Sequence, residues 1–374
     1  MTEPPLTNTY VDEILEELFQ VEEGYIDRGT PTYIITPRDR GDNRLCVKKS
    51  FRELAERIRG KGYLPRLSRV EGGYQIMILR KRQHGTPSYK KNIILFMATL
   101  GTVFLDGYLR SNNPILTQVL MIDTPVWGNA IIFALGIITI FGLHELGHKA
   151  FSMLRGIEAS MPYFIPAPPG MGGTFGAVIT QKEPPINRDD LFDLGLSGPL
   201  MGFIATVFVG IVGLKLSFVV PEANLTRWML EFPEVGFTSL PFPPLLDLLS
   251  KWLKPTPDGY ILLMHPLGFA AWVGCLITFL NLIPAWQLDG GHVSRSLLGK
   301  EVHRVVSVAG VLIMAISGYF VMAAMVLFFM IRGGGGGVEL LDDVSPLSRS
   351  RKLAVVLYLV IIGLSLVMIF PFMI

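Results

Sequence analysis

Uncharged apolar runs separated by short polar links dominate this 374-residue chain. They extend over Asn92–Leu105, Thr124–Leu143, Leu194–Leu214, Pro266–Leu288, Val305–Ile331 and Leu353–Ile374. A hydrocarbon core of about 30 Å is crossed by roughly 20 helical residues. The pattern predicts a polytopic α-helical membrane protein with about six spans: 92–108 (short), 129–151, 192–214, 266–288, 305–331 and 353–370. The fifth run has 27 residues. As a helix it would be about 40 Å long, too short for two crossings, so one tilted helix is expected. Between the second and third spans the pattern breaks. Pro162, Pro166, Pro168, Pro169 and the Gly170–Gly173 stretch argue against helix in residues 156–190, where a membrane-associated β-hairpin or re-entrant segment is expected.

Residues 1–88 are patterned differently and read as a small α/β domain. Tyr10–Val21 has Ile14, Leu15, Leu18 and Phe19 on one helical face. Pro31–Thr36 reads as a strand. A second helix is expected from Ser50, with Glu53 completing a capping box, Phe51, Leu54, Ala55 and Ile58 on its apolar side, and Gly60 and Gly62 ending it. Tyr63–Val70 and Tyr74–Leu79 flank Glu71-Gly72-Gly73, a hairpin signal. The expected division is this domain, a membrane core over 89–331, a Gly-rich linker and polar loop over 332–352, and a final span over 353–374.

Composition agrees with a membrane protein: 50% of residues are hydrophobic and only 17% charged, with mean hydropathy +0.45. A formal net charge of +2 carries no nucleic-acid footprint. Arg80, Lys81, Arg82, Lys90 and Lys91 precede the first span, which favours a cytoplasmic N-terminal side. Arg332, Arg349, Arg351 and Lys352 would then face outward, against the same tendency. Cys46 and Cys275 form no disulfide framework and read as ordinary buried residues. No cleaved signal or transit peptide is visible at the start, which favours a prokaryotic plasma membrane as host.

The chemistry is concentrated in two places. His144-Glu145-Leu146-Gly147-His148 closes the second apolar run. On a helix the two histidines share a face and can bind one Zn²⁺, with Glu145 placed to take a proton from water at the metal. A third ligand is needed, and Asp289, after 23 uncharged residues, is the strongest candidate. Pro284 and Gly290-Gly291 would loosen the helix there and turn the aspartate inward. His292 reads either as a neighbour of that site or as a plain interfacial histidine. Asn281 can donate its amide to a scissile carbonyl, or else make a helix–helix hydrogen bond. His84, His265 and His303 have no partner pattern. Trp286 reads as an interfacial anchor.

The paired motifs resemble those of the site-2 protease family of intramembrane zinc metalloproteases, in particular plastid members with an added N-terminal domain. His144, His148 and Glu145 match that family's HExxH ligands and base; Asn281, Pro284, Leu288, Asp289 and Gly290 match its later motif, whose aspartate is the third ligand. Gly173–Ala177 resembles its membrane-embedded strand region, and Leu196-Ser197-Gly198-Pro199 the start of its third core helix. The likeness covers roughly residues 125–330. The segment 221–260 is too short for the PDZ domain some members carry.

The resemblance implies hydrolysis of a peptide bond in or beside a transmembrane helix, with one zinc per chain. Such a helix hides its amides in backbone hydrogen bonds and must partly unwind. Thr174, Phe175, Gly176 and Val178, with Ile179 beyond them, are candidates for a strand that pairs with it; a hairpin without substrate contact is the alternative. The partners expected are a transmembrane protein or peptide, and the lipid bilayer; oligomerisation is left open. A transporter or channel could also place His, Glu and Asp in a membrane, but its charges would be spread through the bundle. An anchored protease of soluble peptides is a further alternative. A silent scaffold is disfavoured because the base and all three ligand candidates are intact.

Overall fold

The computed structural model describes residues 9–38, 43–81, 88–120, 124–170, 172–233, 235–236, 239–333 and 337–369. Arg82, His84 and Phe370, singled out above, lie outside them, as does the middle of the Gly333–Gly337 stretch. Helix α1 (Thr9–Leu18) runs directly into strand β1 (Phe19–Asp27), which pairs antiparallel with β2 (Thr30–Pro37). The turn uses left-handed backbone at Arg28 and Gly29. Helix α2 (Asn43–Arg59) precedes the hairpin of β3 (Tyr63–Val70) and β4 (Gly73–Arg80), giving the order β1-β2-β4-β3. Val11, Ile14 and Leu15 of α1 and Val47, Phe51, Leu54 and Ile58 of α2 are buried in one core with Ile35, Ile76 and Ile78 of the sheet.

Two sequence expectations fail here. The first helix stops at Leu18, because Phe19 and Val21 belong to the sheet. The second starts at Asn43, seven residues before Ser50: Val47 continues the apolar stripe back by one turn, so the Ser50–Glu53 pair is interior and caps nothing. Its end is as expected. Lys61 and Gly62 donate to the Ile58 and Arg59 carbonyls, and Gly62 has φ +85°.

The rest of the chain is largely helical. Helix α3 (Lys90–Ser111) is followed by a π-helical turn at Ile115–Val119, then α4 (Val126–Leu154). Strands β5 (Tyr163–Pro166) and β6 (Thr174–Val178) form an antiparallel hairpin. Helix α5 (Arg188–Leu216) comes next. The segment between α5 and the next apolar run holds β7 (Phe218–Pro221), α6 (Glu222–Glu231), α7 (Pro244–Leu253) and β8 (Tyr260–Leu263), with β7 and β8 paired. Helices α8 (Pro266–Leu282), α9 (Asp289–Leu298), α10 (Lys300–Ile316), α11 (Phe320–Arg332) and α12 (Arg349–Leu364) complete it.

Among the described residues three helices, α3, α4 and α5, are both long and apolar enough to cross a membrane; α8 and α11 are apolar but have 17 and 13 residues. The run 305–331, expected as one tilted helix, breaks at Ser317–Gly318 into α10 and α11. Gly318 has φ +93° and lies so close to the Ile369 carbonyl that no Cβ would fit, while the Ile369 amide donates to Ser317. The C-terminal segment is thus threaded against the break.

Ile137, Ile140 and Phe141 of α4, Ala205 and Val209 of α5, and Ala270, Ala271 and Cys275 of α8 form the main apolar core. Small residues bring the backbones together: a Cβ on Gly213 would sit 2.5 Å from the Gly268 amide nitrogen. The N-terminal sheet and helices are held to one end of this bundle by charge. Arg52 and Arg155 reach the fully buried Asp190 (2.6 and 3.4 Å), and Lys48 reaches Asp189 (2.9 Å). Arg59 pairs with the buried Glu183 (3.2 Å), and Lys81 pairs with both Glu183 and Glu158.

Candidate metal centre

His144, Glu145 and His148 project from the second half of α4, and Asp289 is the first residue of α9. The chain brings them together although 141 positions separate His148 from Asp289 in the sequence. The Nε2 atoms of His144 and His148 are 3.3 Å apart, and Asp289 offers Oδ2 at 3.2 Å from His144 and Oδ1 at 3.3 Å from His148. Three donors bound at about 2.0–2.1 Å around a tetrahedral zinc would be about 3.3 Å from one another. The donor set and its spacing fit zinc. Among the described residues this is the one His/Cys/Asp/Glu group with metal-site spacing. His148 is oriented by its other nitrogen, Nδ1, 3.0 Å from the Leu194 carbonyl, an arrangement that leaves Nε2 free to ligate. Glu145 is buried, with Oε1 4.0 Å from His144 Nε2.

Helix α5 forms the wall behind the imidazoles, and it is built from glycine. A Cβ at Gly198 would overlap the His148 ring, and one at Gly202 would stand 3.1 Å from His144 Nδ1. Gly195 faces the Asp289 carbonyl and the Cβ of His292, at 2.7 and 2.8 Å from where its own Cβ would be. These positions fall at i, i+3 and i+7, on one helical face. Sequence reasoning missed their role; the available signal was small residues at helical spacing within an apolar run.

The Gly290-Gly291 pair acts differently from the expectation that it loosens the helix. Both residues lie inside the first turn of α9, and Cβ atoms there would collide with the Leu282 and Trp286 carbonyls. The glycines let α9 start pressed against the end of α8, which fixes Asp289 rather than freeing it. Trp286 adopts φ +43° in this turn, stacks on Phe329 with ring centroids 5.7 Å apart, and donates its backbone N–H to the Ser307 hydroxyl oxygen (3.0 Å).

The remaining candidates fall into place around this centre or away from it. Asn281 is half-buried in the last turn of α8, and among the described residues its amide makes no hydrogen bond to the cluster. His292 holds the Leu288 carbonyl through Nδ1 (2.8 Å). His265 caps α8 and meets Asn129, and His303 lies between Ser294 and Ser307, so both serve the packing.

Strand β6 runs beside α4. Gly176, at φ +106°, packs on Phe141, one turn before Glu145. Gly176 and Val178 pair with Ile165 and Tyr163 of β5, and farther along the Thr180 carbonyl accepts the Ser160 amide. Ala177 pairs with Phe164 between them, and the register shifts beside Phe175, which has no partner on β5. The backbone N–H of Ile179, the residue after β6, lies beside the Glu145 carboxylate. The Thr174 hydroxyl is spent within the hairpin, donating to the Ile165 carbonyl and accepting the Gly176 N–H. Phe175 and Val178 are more than half exposed.

Residues 132–325 match the family model for peptidase family M50, a segment that starts within α4, ends within α11 and encloses every residue of the centre. The chain belongs to peptidase family M50. It is 30% identical over 260 residues to a rice protein (Oryza sativa subsp. indica) named "Probable zinc metalloprotease EGY2, chloroplastic", covering 67% of this chain and 44% of that one. It is 29% identical over 229 residues to "Probable zinc metalloprotease EGY1, chloroplastic" of Arabidopsis thaliana (56% and 40%), and 23% identical over 278 residues to the rice EGY3 protein (70% and 45%). The chain thus spans less than half the length of these relatives. No solved structure matches it. The M50 assignment agrees with the site-2 protease resemblance and with the plastid-like branch, and the relatives' names agree with zinc as the metal.

Proposed function

We propose that this M50 member is a zinc-dependent intramembrane endopeptidase that hydrolyses a peptide bond within or beside a partly unwound transmembrane helix. The observation that carries the reading is the convergence of His144, His148 and Asp289 at 3.2–3.3 Å beside the buried Glu145. When bound, zinc supplies Lewis acidity at the scissile carbonyl and makes water acidic enough to be deprotonated near neutral pH. Glu145 takes the water proton on its carboxylate and delivers it to the leaving amine. The Ile179 N–H, just past the end of β6, lies beside that carboxylate, which brings the base close to the strand.

A substrate segment entering as an added strand would pair along the edge of β6 away from β5 and lay its scissile bond next to Glu145. The exposed Phe175 and Val178 would flank it, with Gly176 leaving the strand pressed to Phe141. Asn281 would donate its amide to the carbonyl oxygen as charge develops there. We place the N-terminal domain on the cytoplasmic side of the membrane, on the strength of the Arg80–Lys91 charge cluster.

The test is cleavage of a membrane-spanning reporter by wild type and Glu145→Gln. The variant is expected to hold zinc as the wild type does and to lose turnover. A variant that still cleaves would overturn the role of the base.

A further inference from the structure

A second charged feature lies away from the metal centre. Strand β3, helices α9 and α10 and the segment 337–344 enclose a cleft of about 460 Å³. Its lining includes Arg66, Arg69, Arg295, Lys300 and Arg304. Against these five cations stand two carboxylates, Glu339 and Asp343. Asp343 is already shared: Arg295 grips it through both terminal nitrogens (3.1 and 2.6 Å), and Arg188 reaches it at 3.3 Å. Glu339 approaches Arg66 only to 4.0 Å, and Arg304 pairs outside the lining set with Glu301. Arg69 and Lys300 have no ion pair among the described residues. The cleft therefore keeps an excess of positive charge that its own carboxylates do not neutralise.

Two further observations point to a ligand. Arg295 is 2% exposed, yet its Nε has no hydrogen-bond partner among the described residues. A buried donor of this kind is costly unless something accepts from it. The cleft also contains Lys300 and Arg304 from the first turns of α10, a 17-residue helix whose amino end adds its own positive potential.

We propose that this cleft binds a phosphate group, gripped by the cationic side chains of β3 (Arg66, Arg69) and α10 (Lys300, Arg304) that line it together. Arginine forks match phosphate oxygens in pairs. Arg66 and Arg69 come from the N-terminal sheet, and Lys300 and Arg304 from the membrane part, so an occupant would join the two. Val302, Val305 and Val308 of α10 are exposed beginning in that same first turn. The cleft thus opens at the edge of an apolar surface, where the phosphate of an anionic lipid headgroup and that of a soluble compound are both within reach.

The test uses the full chain and does not depend on proteolysis, so it can fail without touching the protease reading. Detergent-solubilised protein is titrated with pyrophosphate by calorimetry. In parallel, protein from bilayers of phosphatidylcholine with phosphatidylglycerol is examined for retained lipid by native mass spectrometry. We expect saturable, salt-sensitive binding of one of these probes. It should weaken at least about tenfold in Arg66→Ala/Arg69→Ala and again in Lys300→Ala/Arg304→Ala, and stay unchanged in Lys251→Ala on α7. These side chains are exposed, and circular dichroism checks that the variants fold. Pyrophosphate binding that lipid does not block assigns a soluble phosphate compound; retained phosphatidylglycerol that pyrophosphate does not displace assigns a headgroup. Absence of binding by either probe, or binding that both double variants leave intact, overturns the proposal.

Discussion

At the scale of single residues, the candidate metal cluster was legible because its chemistry is written in rare types. Two histidines and a glutamate at the end of an uncharged run, and an aspartate closing another, have few other reasons to be there. What the sequence hid was the space those side chains need. Gly198 and Gly202 carry no chemistry, and only the approach of α5 to α4 gives them a role. Gly198→Ala should lower zinc affinity by about ten- to a hundredfold, the range for groups that orient a ligand. Gly202→Ala, whose Cβ would stand 3.1 Å from His144, should cost less. Competition with a chelator measures both, and equal affinity for the wild type and Gly198→Ala would remove α5 from the centre. Asn281→Ala should retain zinc and slow cleavage of the reporter by about a hundredfold, as for loss of one oxyanion donor. Unchanged kinetics would leave Asn281 a packing residue.

At the scale of elements, periodicity located most helices and strands but misjudged where they end. Ser50 and Glu53 make a good capping box in the sequence, but burial of Val47 carries the helix past it. The run 305–331 is apolar throughout, and an uncharged stretch gives no sign of the break at Gly318. That break exists because a distant segment, reaching Ile369, binds there. A side chain at Gly318 would meet both an unfavourable φ and the Ile369 carbonyl. Gly318→Ala should therefore lower stability by about 1–3 kcal/mol, read as a fall in thermal midpoint. No change would mean that the break is not held by this contact. For β6, a photoreactive residue in place of Phe175 should crosslink to a bound substrate; consistent failure with a cleavable substrate would argue against strand addition.

At the scale of the whole molecule, long-range charge pairing could not be read from the sequence, because nothing in it says that Arg59 meets Glu183 or Arg52 meets Asp190. The pairing links the N-terminal sheet to the chain on both sides of the hairpin, since Glu158 precedes β5, Glu183 follows β6, and Lys81 pairs with both. Burial by itself would lower the Lys81 pKa, but hydrogen bonds to Glu158 and Glu183 outweigh it and hold it above its ordinary 10.5. A raised value for a lysine means stability that is complete below that ordinary value and is lost as pH rises through the higher folded one. The thermal midpoint of wild type should thus fall above pH 10.5 more steeply than that of Lys81→Arg, whose guanidinium stays charged. Identical profiles would show that this contact does not hold the domain.

All of these roles rest on one claim, that His144 and His148 on α4 and Asp289 on α9 hold a single zinc. Bound metal per folded chain, measured on wild type and Asp289→Ala purified without chelator, tests it most directly. About one tightly held zinc in the wild type, weakened or lost in the variant, is the expected result. A folded wild type that carries no zinc, or a variant that holds it as firmly, would contradict the account.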